Sequence, residues 1–179
     1  MLDYTKDELL SLIEKTPGKF NEWKQDKEEV DLSEVDFSNM VLREVDFSGA
    51  DLNSSSFADC DLTLVNFADS DLTSVDFTRA AVMECDFTDS LLTGADCSYA
   101  QMTYCNFAGC DMAGCVLSET DLSNSDLSSA ENLSSARYDN DTQWPDTDMM
   151  PEDFDSECQD DLSALKDEED APIRSDGEY

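Results

Sequence analysis

Large apolar residues return at every fifth position through the middle of the chain: Leu32, Phe37, Leu42, Phe47, Leu52, Phe57, Leu62, Phe67, Leu72 and Phe77 open the series. Two residues before each stands a small or compact side chain, such as Val35, Ala50, Cys60, Val75, Cys85 or Cys105. Asp or Asn fills the place between them in most repeats, and Ser, Thr or Ala follows. On an α-helix a five-residue step advances by about 140° beyond a full turn, so these side chains would wind around every face. In a strand, residues two apart share a face, so the small and large residues point inward together and the Asp points out. The remaining two residues must turn the chain. The pattern predicts three extended residues and a two-residue corner, repeated into a coil that stacks on itself.

Phe and Leu alternate, so residue type recurs every ten positions. Like stacks on like only if a coil holds an even number of repeats. Four repeats put Leu32, Leu52, Leu72 and Leu92 in one column and Phe47, Phe67, Phe87 and Phe107 in another. Two repeats would leave no room for opposed Phe rings. The expected fold is therefore all-β, a four-sided parallel solenoid with a twenty-residue coil. Val82, Cys97, Met102 and Met112 take the large position in later repeats, which keeps the interior apolar while changing its volumes. At Ala130-Glu131-Asn132-Leu133 the register carries one residue too many, as a bulge would. Two further repeats centre on Leu133 and Tyr138.

The flanks obey other rules. In residues 1–29, Thr5 can cap a helix whose apolar positions are Leu9, Leu10 and Ile13, and Thr16-Pro17-Gly18 ends it. Phe20 and Trp23 share one side of a second helical segment and are expected to cover the open first coil, as the end of a solenoid requires. The solenoid is expected over residues 30–138. Tyr138, Trp144, Met149, Met150 and Phe154 supply an apolar set for a C-terminal cap over 139–155. Residues 156–179 are expected to form an acidic disordered tail, with at most a short helix near Asp161 to Asp167.

These repeats resemble the pentapeptide-repeat proteins, whose usual form is A(D/N)Lxx. Ala50-Asp51-Leu52-Asn53-Ser54 and Ala95-Asp96-Cys97-Ser98-Tyr99 are near copies, and 20 uninterrupted repeats run from Leu32 to Leu127. The resemblance implies a right-handed quadrilateral β-helix. The stretch Ala136-Arg137-Tyr138-Asp139-Asn140-Asp141-Thr142-Gln143-Trp144-Pro145 is similar to the ending of many cyanobacterial members. Some members of the family match duplex DNA in width and charge, bind type II topoisomerases, and inhibit gyrase or protect it from quinolones. Those members dimerise through an apolar C-terminal region, where this chain has acidic residues.

Charge narrows the choice of partner. The chain has 44 acidic and 10 basic residues, no histidine and a net charge of −34. Such a surface repels nucleic acid and anionic membrane and favours a partner with a basic or apolar surface. No run of residues is long and apolar enough to span a membrane, and Met1-Leu2-Asp3 opens no signal peptide, so a cytoplasmic location is expected; with acidic residues where the dimerising members are apolar, a monomer is expected rather than a dimer.

Candidate chemistry is sparse. Six of the seven cysteines fall in inward slots, where they act as small hydrophobes, and no Cys-x-x-Cys or histidine completes a zinc site. Cys85 and Cys105 should be stacked neighbours. Asp31, Asp51, Asp71 and Asp111 form one outward row, interrupted by Leu91; Asp46, Asp86 and Asp126, with Asn66 and Asn106, form another. On a convex exterior these carboxylates should keep ordinary pKa values and serve no acid–base role. Catalytic, cofactor and metal sites are all expected to be absent. The wall carrying Leu42, Leu62, Val82 and Met102 differs from the rest: it exposes Val41, Leu64, Ala81, Met83, Gln101 and Tyr104, with Tyr99 at the adjoining corner. An exposed apolar strip of this kind points to a non-enzymatic protein-binding scaffold, with Leu64, Met83, Tyr99 and Tyr104 as contact residues. The alternative is an acidic DNA mimic directed at gyrase and acting through the Asp rows.

Overall fold

The computed structural model describes residues 4–155; Met1-Leu2-Asp3 and the stretch 156–179, where the acidic tail is expected, lie outside the described residues. Strand register decides the number of walls. Leu42 pairs with Leu62, Leu62 with Val82 and Val82 with Met102, all parallel and all twenty residues apart. Bridges on the other walls, such as Asp31 to Asp51, Asp36 to Ser56 and Asp46 to Asn66, keep the same offset. The fold is a right-handed quadrilateral parallel β-helix with a short helical N-terminal cap.

Its interior is two columns of stacked rings flanked by aliphatic columns. Phe67 lies between Phe47 (5.5 Å, 18°) and Phe87 (5.0 Å, 14°), and Phe107 continues the stack (4.9 Å, 9°). Phe37, Phe57 and Phe77 form the second column and meet the first edge to face, as Phe57 does with Phe67 at 5.5 Å and 86°. Coil spacing imposes the offset stacks, and the ring quadrupole favours the crossed contacts between columns. Val82, Cys97, Met102 and Met112 are buried in the same columns.

Extended structure is less uniform than the periodicity predicts. Among the described residues only one wall carries true strands, β1 (Val41–Arg43), β2 (Asp61–Thr63), β3 (Ala81–Met83) and β4 (Gln101–Thr103). The other walls pair through single outward residues. There the corner closes tightly: the N–H three residues after the large residue donates back to its carbonyl, as from Ser55 to Leu52 (3.0 Å) or Cys60 to Phe57 (3.1 Å). Corners after β1–β4 do without that bond, so the wall before them stays extended.

Every regular corner places its second residue in the left-handed region. Gly49, Gly94, Gly109 and Gly114 sit there at φ of 62–68°, and so do Asn39, Asp59, Asp69, Asp89 and Asn124. A turn of type II geometry demands a positive φ at that position. The side chain on the outward wall holds the corner: its carboxylate or amide oxygen accepts the N–H two residues on, at 2.8–3.1 Å, in a run from Asp31–Ser33 to Asp126–Ser128. Asn66 and Asn106 make the same bond as their Asp neighbours. This is why the repeat accepts either residue at that place.

At the N-terminal end, α1 (Lys6–Lys15) starts on a capping box between Thr5 and Glu8 and buries Leu9 and Ile13. Then α2 (Pro17–Lys24) sets Phe20 over the first coil, 5.7 Å from Phe47, with Trp23 outside it against Tyr4. Asn21 substitutes for a missing coil: its amide donates to the Glu44 carbonyl (2.8 Å) and accepts from the Asp46 N–H (2.9 Å). Lys6 does the same for the Ser33 carbonyl at 2.7 Å. Part of the exposed edge of the first coil is thereby satisfied.

At the other end the extra residue is absorbed by Asn132, left-handed at φ 56°, and a single 3-10 turn over Leu133–Ser135, in place of the expected bulge. Pairing then shifts from Asp111–Glu131 to Val116–Arg137 and, with one more residue, to Asp121–Gln143. The coil thus continues beyond Tyr138. Thr142 is buried and donates to the Leu117 carbonyl (2.8 Å), and the Leu127 N–H reaches the Met149 carbonyl. Tyr138, Trp144 and Phe154 pack ring on ring at 5.0–5.8 Å.

Candidate protein-binding face

The wall of β1–β4 has eight outward positions: Val41, Arg43, Asp61, Thr63, Ala81, Met83, Gln101 and Thr103. Their only charges are Arg43 and Asp61, one of each sign, with a nitrogen and an oxygen 4.0 Å apart. The sheet is therefore neutral on a chain of net charge −34. Three extended residues make it about 10 Å wide, and four strands make it about 15 Å long.

Two ridges of corner residues bound this sheet. One runs Glu44, Leu64, Glu84, Tyr104; the other runs Asn39, Asp59, Arg79, Tyr99, Glu119. Leu64, Met83, Tyr99 and Tyr104, the four contact residues read from the sequence, are 49, 47, 50 and 60% exposed. Tyr99 and Tyr104 stand on opposite ridges, at the two ends of β4. Leu64 shares the ridge of Tyr104, and Met83 projects from β3 between them. Val41, at the other end of the sheet, is 62% exposed.

The periodicity does not reveal how these residues are held. Leu64, Tyr99 and Tyr104 have φ of 56°, 62° and 57°. For a bulky side chain the left-handed conformation costs roughly 1–2 kcal/mol relative to the right-handed one, and Gly, Asn or Asp relieves it. Three large apolar groups thus occupy corners where Gly, polar or charged residues stand elsewhere in the same fold. The signal in the sequence was the row of Gly, Asn and Asp at equivalent positions.

Of the two Asp rows, that of Asp46, Asp86 and Asp126 lies on an adjoining wall and that of Asp31, Asp51, Asp71 and Asp111 on the opposite wall, each aligned along the axis. Asp31, Asp51, Asp71 and Asp111 are parallel-bridged through Leu91, and Asp46, Asp86 and Asp126 alternate with Asn66 and Asn106. Alternation spaces the charges of the second row. The expectation of ordinary pKa values fails for several of these carboxylates. A hydrogen bond from Lys6, then those from Ser33, holds Asp31 down to about 2. At Asp46 burial pulls upward, but the bonds from Ser48 and the charge of Lys24 outweigh it and the pKa falls. Ser38 and Ser128 lower Asp36 and Asp126. The Asp side chains are parts of the corners, and their tethering hydrogen bonds are the physical cause.

Six thiols are buried. Cys97 and Cys115 bring their sulfurs to 3.8 Å, a pair that the stacking rule missed because it joins a large position to a small one. The Cys115 thiol and then burial push Cys97 up; the Cys85 thiol and then burial do the same to Cys105. Burial raises Cys60 to about 11 and Cys110 to about 12. Nucleophilic thiolate is suppressed at these four positions, whereas the bond with the Cys105 thiol lowers Cys85. Among the described residues no group of three His, Cys, Asp or Glu is placed to hold a metal ion, and no helix is long and apolar enough to cross a membrane.

Comparison with known proteins follows the repeats. A family model for the pentapeptide repeat region matches residues 30–96, and one for pentapeptide repeats in eight copies matches 90–128 and 100–137. No curated protein matches the sequence. Among solved structures, trypsin-treated QnrB1, a plasmid-mediated fluoroquinolone resistance protein, is 18% identical over 62% of this chain and 57% of its own, with a TM-score of 0.43. A pentapeptide repeat protein of the Arabidopsis thaliana thylakoid lumen is 27% identical over 58% and 65%, with a TM-score of 0.35. HetL from a Nostoc cyanobacterium, involved in heterocyst differentiation regulation, is 22% identical over 60% and 65%, with a TM-score of 0.31. The chain spans less than two-thirds of each of these structures. With two models of one repeat covering residues 30–137 between them, the chain belongs to the pentapeptide-repeat family.

Proposed function

We propose that this protein is a non-enzymatic binding module whose working surface is the wall of β1–β4. The observation that carries the reading is the pairing of a neutral sheet with three bulky, half-exposed side chains in left-handed corners. Each of Leu64, Tyr99 and Tyr104 exposes large apolar area at a corner that Gly, polar or charged residues occupy elsewhere, so folding alone gives no reason for it. Aromatic anchors on a neutral patch are the usual centre of a protein interface. The partner is another protein, and a reducing, cytoplasmic setting suits the six buried thiols.

The alternative, acidic mimicry of DNA, draws on the carboxylates: residues 30–138 carry 20 acidic and 3 basic side chains. Against it, the Asp rows already serve the corners, and one of them is diluted by Asn66 and Asn106. One experiment separates the two readings. The tagged protein is used to recover a partner from host extract at roughly 0.05 and 0.5 M salt, where screening lengths differ about threefold. Binding through the sheet should survive high salt, persist when Asp31, Asp51 and Asp71 become Asn, and disappear with Leu64→Asn and Tyr104→Asn. Asn suits a left-handed corner, and it also preserves the Asp hydrogen bond, so both sets of variants keep the fold. Binding that vanishes with salt and with the Asp row, joined to inhibition of gyrase supercoiling at micromolar protein, would overturn the proposal.

A further inference from the structure

Resting on that reading, we infer that the partner presents a basic amphipathic α-helix, laid along the solenoid axis between the two ridges. The first reason is that the open face offers an extended peptide no strand edge to pair with. Strand addition needs an unpaired edge. In this wall each strand is bonded to the next, β4 continues through the Gln101–Asp121 bridge, and Asp121 pairs with Gln143. β1 is the outer strand of the wall, and the helical cap lies over that end, with Asn21 bonded to Glu44 and Asp46 just beyond the strand. Recognition must run through side chains.

The dimensions suit a helix. A sheet about 10 Å wide between two rows of exposed corner residues matches a helix diameter of roughly 10–12 Å, and about 15 Å of length accommodates about ten residues at 1.5 Å each.

The ridge chemistry specifies the pattern. Glu44, Leu64, Glu84 and Tyr104 alternate acid and apolar at successive coils, and all four are exposed. Coils are about 4.8 Å apart, so like residues recur about every 10 Å, close to the 10.5 Å rise of seven helical residues. A helix with apolar residues at i and i+7 and Lys or Arg half-way between them meets Leu64, Glu84 and Tyr104 in turn. On the opposite ridge Tyr99 is followed by Glu119, while Arg79 is held by Asp59 in a two-point bridge (2.8 and 2.7 Å), leaving Tyr99 and Glu119 to face the partner. Guanidinium groups stack on tyrosine as well as pairing with carboxylate. The overall charge of −34 disfavours a second copy of this chain at the site and favours a basic partner.

The test uses a synthetic 14-residue helical peptide with a leucine stripe flanked by arginines, titrated into isotope-labelled protein and followed by amide NMR shifts. The expected result is saturable micromolar binding with shifts confined to 41–44, 61–64, 81–84 and 99–104. Tyr99→Asn with Tyr104→Asn should weaken it at least tenfold. A glutamate-for-arginine version should not bind, and a version carrying two prolines should bind at least tenfold more weakly. Equal binding by the proline peptide, shifts centred on Asp31, Asp51 and Asp71, or no saturable binding would each overturn the inference. A host partner still lost with Leu64→Asn and Tyr104→Asn would show that the face binds something other than a helix, so the two failures are distinguishable.

Discussion

Truncating Phe67 to alanine tests the stacked interior most severely. Phe67 is fully buried and touches four rings: Phe47 and Phe87 face to face at 5.5 and 5.0 Å, and Phe57 and Phe77 edge to face at 5.5 and 5.9 Å. Phe→Ala in a core costs about 3–5 kcal/mol, and aromatic pairs contribute about 0.5–1.5 kcal/mol each beyond area. Four lost pairs and a cavity walled by neighbouring coils put Phe67→Ala near 5 kcal/mol. Phe107 supplies the internal control, since its one ring partner is Phe87 at 4.9 Å; Phe107→Ala belongs near 3 kcal/mol. For a chain of this size 1 kcal/mol shifts Tm by about 2–4 °C, so the two variants should melt roughly 10–20 and 6–12 °C below the parent. Far-ultraviolet circular dichroism reads the whole solenoid, and each coil rests on its neighbours, so a single cooperative transition should be lowered. Equal losses from Phe67 and Phe107, or a Phe67→Ala variant melting within a few degrees of the parent, would refute ring stacking as the source of core stability.

Ser55 is the one buried side chain among the described residues whose hydroxyl has no partner; Ser70 and Ser90, in similar slots, donate to the Phe67 and Phe87 carbonyls at 2.5 and 2.8 Å. Ser55→Ala should raise stability by about 1 kcal/mol and Ser90→Ala lower it by about as much; a destabilised Ser55→Ala in urea titration contradicts the accounting. Asp71→Asn should leave stability unchanged, whereas Asp71→Ala, which loses the bond to the Thr73 N–H, should cost about 1 kcal/mol; equal effects would deny the corner role. Asp31 is depressed in the folded state to about 2, so the stability it adds is complete above the unfolded value near 4 and is lost as pH falls through about 2. The stability difference between the parent and Lys6→Met should therefore be constant from neutral pH to about 4 and shrink as pH falls from there through about 2. A difference unchanged at pH 2 would mean that Lys6 acts through its bonds to Ser33 alone.

A five-residue rhythm with alternating Phe and Leu was sufficient to predict the coil, its four walls and the residues in each column. Inward pointing and like-on-like stacking admit few other solutions. The flank helices were legible too, because a cap at Thr5, a Pro-Gly break and helical spacing are local signals. The candidate face was half legible. Leu64, Met83, Tyr99 and Tyr104 could be placed outward from the repeat alone, but their conformations could not, since the cost of a left-handed corner appears only once the turn geometry exists. Nor does periodicity tell one wall from another: that β1–β4 alone stay extended depends on which corners close a backbone hydrogen bond. The Asp rows look like free carboxylates in sequence and prove to be corner braces, because the N–H each one accepts is brought within reach only by the turn. Side-chain direction is a property of the repeat; hydrogen-bond partners and strain are properties of the stacked coil.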